Sequence, residues 1–172
     1  MVIVLLGYMG SGKSTVGQII ANKLKFQFSD LDSVIETQEG LSVEHLFKTK
    51  GEIYFRKKEA QHFKDLITNS SNLVLSLGGG TPCYGSNMSV LKQSGARSIY
   101  LKTSIGTILD RLREERKTRP LISHLASDND LLEFIGKHLF ERQAFYYQSE
   151  FVLSTDEKTP EEIAEDIIDQ LL

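Results

Sequence analysis

Two rhythms of hydrophobic and polar positions alternate along the chain. Short runs of apolar and β-branched residues, Val2–Leu6, Leu73–Leu77, Ser98–Leu101 and Phe151–Leu153, read as buried strands. Lys25–Ser29 reads as a weaker strand that stops at Asp30. Between the strands, apolar residues recur at helical spacing. Val16, Ile19, Ile20 and Leu24 form one such stripe, and Val43, Leu46 and Phe47 form another behind a capping Ser42. Phe55, Phe63, Leu66 and Ile67 line a longer helix over Glu52–Thr68. Ile105–Leu112 and Leu131–Tyr147 follow, and Pro160 suits the first turn of a last helix to Leu172. Strands alternating with helices predict an α/β fold: one parallel sheet of five strands, covered by helices on both faces. No repeat, low-complexity tract or linker interrupts the pattern. Glu114–Asn129 departs from it, beginning EERKTRP and staying polar and short of core residues. Inside a compact domain such a stretch predicts a lid.

The chain has 172 residues, enough for one domain with a sizeable core. Its net charge of −3 excludes a general attraction to nucleic acid or anionic membrane, so any phosphate binding has to be local. Cys83 is the only cysteine and cannot form an internal disulfide; a lone thiol is more often a small buried residue than a nucleophile. His45, His62, His124 and His138 lack metal-ligand spacing. No stretch approaches the roughly 20 apolar residues of a membrane span. The N-terminal apolar run is too short for a secretory leader and has no basic residues before it. A cytoplasmic, single-domain protein is expected.

Within this frame the stretch GYMGSGKST, residues 7 to 15, stands between the first strand and the first helix. Gly7, Gly12, Lys13 and Ser14 fit the phosphate-binding loop pattern. Glycines let the backbone wrap closely round phosphates and turn several N–H groups inward. The helix beginning near Lys13 adds its positive end. Lys13 can then bridge the β- and γ-phosphates of ATP, and the Ser14 hydroxyl can ligate Mg²⁺. A structural glycine turn is the plainer reading, but the flanking strand and helix favour a nucleotide site.

Asp30 and Asp32 end the second strand, where ligands of open α/β sheets collect. On a strand they would share a face and could serve a metal and an acceptor hydroxyl; alternatively, Asp32 caps the segment Ser33–Glu39. Both readings stay open on the residues alone. Arg56 sits about one turn into a helix and by itself reads as a surface arginine. Gly78, Gly79 and Gly80, after a buried strand, let a substrate approach backbone N–H groups or simply make a sharp turn. Ser76 stands where many phosphate-loop enzymes carry an acidic residue. Arg119 lies in the expected lid. Arg111, Arg113 and Arg116, with Glu114 and Glu115 beside them, read as a solvated helix face.

Taken together, GYMGSGKST, DLD, GEIYFR, SLGGG, RPLI and ERQAFY, in that order and spacing, resemble the shikimate kinase family over nearly the whole chain. The resemblance implies a three-layer α/β/α P-loop fold with strand order 2-3-1-4-5 and a flexible lid over about 114–129. It implies transfer of the γ-phosphoryl of ATP to the 3-hydroxyl of shikimate, in aromatic amino acid biosynthesis, by a monomer using Mg²⁺. By the same resemblance Gly10, Ser11, Gly12, Lys13, Ser14 and Thr15 hold the phosphates. Ser14 and, through water, Asp30 hold the metal. Asp32 grips the acceptor hydroxyls and accepts the attacking proton. Arg56 and Arg142, with Gly78, Gly79 and Gly80, bind the acceptor carboxylate. Arg119 closes over the phosphates, and Lys158 and Pro160 flank the adenine. The chain departs from the family where its last strand ends in Ser154-Thr155 rather than Asp-Thr, and no arginine falls on the expected position at the opening of the lid. Two rivals remain at this level: another small-molecule P-loop kinase, such as a gluconate or nucleoside monophosphate kinase, and a nucleotide-binding protein without turnover.

Overall fold

The structure, a computed structural model, describes all 172 residues. Five parallel strands, β1 (Val2–Leu6), β2 (Gln27–Asp30), β3 (Leu73–Ser76), β4 (Arg97–Lys102) and β5 (Phe151–Ser154), pair in the order β2-β3-β1-β4-β5. The three-layer P-loop fold and the order expected from sequence are both present. The helices are α1 (Lys13–Leu24), α2 (Leu31–Glu39), α3 (Val43–Asn69), α4 (Asn87–Gln93), α5 (Ile105–Glu115), α6 (Asp128–Tyr146) and α7 (Pro160–Leu171).

Alternation along the strands builds two cores. Val2, Val4 and Leu6 of β1 point to one face, among Leu31, Phe55, Phe63, Leu112 and Ile135. Ile3 and Leu5 point to the other, against Val16 and Ile20 of α1 and Ile163 and Ile167 of α7. The central strands are therefore apolar on both sides, as a covered parallel sheet requires.

Several boundaries move for local reasons. The second strand starts at Gln27, not Lys25, because Lys25 ends α1 in the left-handed conformation (φ 56°), its N–H bonding back to Ala21 and Asn22. The two helices expected around Ser42 and Glu52 run on as α3 but break at Gly51, whose φ of 82° and ψ of 169° are not helical. The helix α4 carries Met88 and Leu91 into the core and was not among the expected elements.

The expected lid is shorter than its sequence suggested. Glu114 and Glu115 belong to α5, and Asp128 and Asn129 to α6. Ile122 is fully buried in the core, so the stretch between is pinned at its middle. Its few apolar residues, Leu121, Ile122 and Leu125, make too short a pattern to read as an element. Arg113 and Arg116 reach across to Asp128, at 2.8 and 3.4 Å, tying the end of α5 to the start of α6.

Candidate active site

Every expected site residue except Arg56 and Arg142 lies at the carboxyl end of a strand, or beyond it in a loop or at the start of a helix. The phosphate loop follows β1. Gly10 and Gly12 take φ of 78° and 90°, which glycine adopts without the Cβ clash other residues meet. Gly12 precedes α1 with no side-chain cap, so the N–H groups of the first turn stay open toward the cavity. Lys13 is buried, and its ammonium donates to the carbonyls of Gly7 (2.9 Å) and Tyr8 (3.0 Å). Burial pulls its pKa down to about 8, against the opposing pull of the Asp30 and Asp32 carboxylates.

These residues line a cavity of about 470 Å³ that also takes in Asp30, Asp32, Ser76, Gly78, Gly79, Arg119, Lys158 and Pro160. The two aspartates converge, but not as residues on one face of a strand. Asp30 ends β2 and is itself the cap of α2, its carboxylate accepting from the N–H groups of Asp32 (3.1 Å) and Ser33 (3.4 Å). Asp32 is thus not the cap; it sits in the first helical turn with its side chain free for the cavity. Burial first, then the negative charges of Asp30 and Glu59, push its pKa up to about 6, with Lys13 pulling the other way. The Ser14 hydroxyl donates to Asp30 Oδ2 at 3.0 Å. Ser76 lies beside Asp30 in the β2–β3 register, and its buried hydroxyl has no partner. A carboxylate thus stands beside Ser76 on the neighbouring strand, at Asp30.

The glycine turn after β3 joins this cavity to two arginines. A methyl group on Gly80 would lie 2.8 Å from Arg56 Nη2, and one on Gly79 would lie 3.3 Å from Arg142 Nη1. A side chain at Gly80 would push the Arg56 guanidinium aside, and one at Gly79 would crowd that of Arg142. Arg142, from α6, makes no ion pair and lies 5.8 Å from the Tyr8 ring. Arg56 is not the surface residue its spacing alone suggested. It donates to Glu59 Oε2 at 2.8 Å, and Glu59 Oε1 accepts from the Thr81 hydroxyl at 2.6 Å. Glu59 was missed in the sequence although its signal was present. It falls four residues from both Phe55 and Phe63, on the buried stripe of α3, where a carboxylate needs a partner. Cys83 is half-buried nearby, and burial pushes its thiol pKa up to about 11, so it is no nucleophile at neutral pH.

Arg111 is a correction. It does not belong to a solvated face. It lines the cavity and donates from Nη1 to the Gly10 carbonyl at 2.8 Å. Ile108 and Leu112 anchor α5 in the core, and that rotation turns Arg111 and Glu115 toward the phosphate loop. Arg119 also lines the cavity, with its guanidinium in a close ion pair with Glu115. Lys158 is paired with Asp166 at 2.6 Å, and Pro160 opens α7 behind a Thr159–Glu162 capping box. No helix is long and apolar enough to cross a membrane.

Known proteins resemble this chain along nearly its whole length. A family model described as shikimate kinase matches residues 9–172. A shikimate kinase of Flavobacterium psychrophilum is 44% identical, over 96% of this chain and 95% of that relative. Among solved structures, the shikimate kinase of Bacteroides thetaiotaomicron superposes with a TM-score of 0.92 at 31% identity, covering 99% of this chain and 98% of that one. That of Acinetobacter baumannii, in complex with shikimate, gives 0.87 at 31% identity, covering 99% and 92%.

Proposed function

The chain belongs to the shikimate kinase family, and on that premise we propose how its side chains carry the γ-phosphoryl group of ATP to the 3-hydroxyl of shikimate. One observation supports the division of labour above all: a single cavity holds the phosphate loop and a half-protonatable Asp32, and opens onto a glycine turn backed by two arginines.

The backbone N–H groups of Gly10 to Thr15 and the Lys13 ammonium hold the ATP phosphates. The lysine exchanges the carbonyls of Gly7 and Tyr8 for phosphate oxygens as ATP enters. Arg111 stands beside Gly10 at the same end, and Lys158 and Pro160 wall the adenine side. Arg56 and Arg142 clamp the shikimate carboxylate, helped by backbone donors of Gly78, Gly79 and Gly80, since planar guanidinium groups match a planar carboxylate. Asp32 orients the acceptor hydroxyl and takes its proton. The hydroxyl oxygen bonds to the γ-phosphorus while the bond from that phosphorus to the β-phosphate oxygen breaks, and ADP leaves. The segment around Arg119 acts as the lid. On closing, Arg119 trades Glu115 for phosphate, and water is kept from the γ-phosphoryl group.

The oxygen donors at the loop fit Mg²⁺. Ser14 Oγ and Asp30 Oδ2 lie 3.0 Å apart in the cavity wall, and no cluster of three His, Cys, Asp or Glu forms a closed cage. A cation that keeps several waters and shares phosphate oxygens suits so sparse a set. Ser14 holds it directly and Asp30 through water. Held there, such an ion would supply positive charge to offset that of the phosphates. We propose a cytoplasmic enzyme working as a monomer; light scattering of the purified protein checks the oligomeric state.

The test is ADP release with ATP and Mg²⁺, with and without acceptor. Release is expected to depend on shikimate and to stay near background with gluconate or nucleoside monophosphates. Release indifferent to shikimate would overturn the reading. The clamp has its own check. Arg56→Lys keeps the charge but loses the planar fork, so the KM for shikimate is expected to rise tenfold or more, from a loss of about 1.5–3 kcal/mol for one charged hydrogen bond. The KM for ATP should hardly change, and Arg142→Lys should behave alike. A change that weakened ATP and spared shikimate would put the arginine on the other ligand.

A further inference from the structure

Tyr84 stands just past the glycine turn, at a place where the transfer chemistry asks for no aromatic ring. The guanidinium carbon of Arg56 lies 3.8 Å from the centroid of its ring. The other aromatic neighbours of Arg56, Phe55 and Phe47, are at 5.3 and 5.9 Å. The closest of the three is thus a cation–π contact at van der Waals distance.

The ring is itself tied down. Tyr84 donates from its hydroxyl to Glu52 Oε1 at 2.7 Å, and the same oxygen lies 3.7 Å from Arg56 Nε. This strap joins α3 to the loop after β3 beside the arginine. Below this strap, Arg56 Nε is buried without a hydrogen-bond partner. Glu59 takes Nη1 at 2.8 Å, and the Gly80 backbone closes in on Nη2. Glu59 alone would leave the guanidinium free to swing about one contact. A ring against its face and a backbone against its edge remove that freedom.

We propose that Tyr84 is a positioning residue for the acceptor: its ring, held by Glu52, sets the plane in which Arg56 meets the carboxylate of shikimate and so selects for an anionic acceptor. This deepens the reading above and rests on Arg56 being the carboxylate clamp. Tyr84 lines no part of the cavity that holds the phosphate loop, so it should act on acceptor binding and leave ATP and the transfer step alone.

The experiment compares Tyr84→Leu, Tyr84→Gln and Tyr84→Phe with the parent enzyme and with Arg56→Lys, measuring the KM for shikimate, the KM for ATP, kcat and thermal melting. Tyr84 is 38% exposed, so the substitutions should fold. Both ringless variants are expected to raise the shikimate KM roughly 3- to 30-fold, the range of a cation held over a ring. The kcat and the KM for ATP should stay within about twofold, since neither group touches this contact. Tyr84→Phe keeps the ring and should recover most of the shikimate affinity. Combined with Arg56→Lys, which has already lost the plane, Tyr84→Leu should add less than it does alone. If Arg56→Lys raises the shikimate KM but the folded ringless variants do not, the role of Tyr84 is overturned and the clamp stands. If they lower melting and kcat with the KM unchanged, the ring is only a structural contact. If Tyr84→Phe is as damaging as Tyr84→Leu, the ring does not do the holding. If Arg56→Lys leaves the shikimate KM unchanged, the clamp falls and this inference falls with it.

Discussion

Lys13→Met is expected to give a protein that folds, melts within a few degrees of its parent, and loses about 10²–10³-fold in kcat, as loss of a charge aimed at the transferring group does. The stability half of this expectation follows from two opposed effects. Burial holds the Lys13 pKa near 8, well below its ordinary value, so below about 8 the fold carries the ammonium at a cost that methionine removes. Against that, the Gly7 and Tyr8 carbonyls lose a donor, although the Ser11 N–H still bonds Tyr8 at 3.2 Å. The activity half follows from phosphoryl transfer itself, which needs alignment and charge neutralisation more than covalent help. Melting curves and the ADP-release assay on one preparation test both halves. Near-normal turnover by the folded variant would remove Lys13 from the phosphates.

Asp32→Asn separates catalysis from stability more sharply. Asparagine keeps the shape and cannot take the proton of the acceptor hydroxyl, so turnover is expected to fall by about 10²–10⁴-fold, the usual worth of a positioned base. Melting at pH 7.5 should rise by up to a few degrees, because burial is the main cause of the raised pKa. The sign comes from the raised pKa. Between the ordinary value of 3.8 and about 6 the folded protein binds a proton that the unfolded chain has released. Stability therefore declines as pH rises through that window, and above it the ionised carboxylate is carried at a cost that the amide removes. The cap of α2 is unaffected, because Asp30 provides it. The parent enzyme should lose kcat/KM as pH falls through about 6, when Asp32 takes up its proton. Full activity in the variant, or a pH profile with no acid limb, would leave the acceptor hydroxyl with another base.

How much of this was legible before folding differs from residue to residue. The phosphate loop was readable because its chemistry is local: a strand, glycines that take positive φ, and a helix start all lie within residues 2 to 24. The glycine turn was readable for the same reason. The meaning of DLD was only half readable. The residues mark a ligand-facing strand end, but whether Asp30 or Asp32 caps the next helix depends on where β2 stops, and the extended backbone of Asp30 makes it the cap.

Arg111 shows the other limit. A run of charges with acidic neighbours looks solvated from sequence, and Arg113 and Arg116 do pair with Asp128. Arg111 differs only because the core contacts of Ile108 and Leu112 rotate α5 so that its guanidinium meets the phosphate loop, 101 residues away in the chain.

The sequence by itself determined the strand and helix pattern, the parallel sheet and the backbone cradle for phosphate, because each rests on the φ, ψ and burial preferences of residues close together in the chain. Only the tertiary structure decided the acceptor side. Arg56 and Glu59 on α3, Tyr84 after β3 and Arg142 on α6 meet because helices packed on one face of the sheet bring them there. A pattern of polar positions carries no information on which charged side chain will face water and which will turn into a cleft, since that choice is made by the packing of elements far apart in sequence.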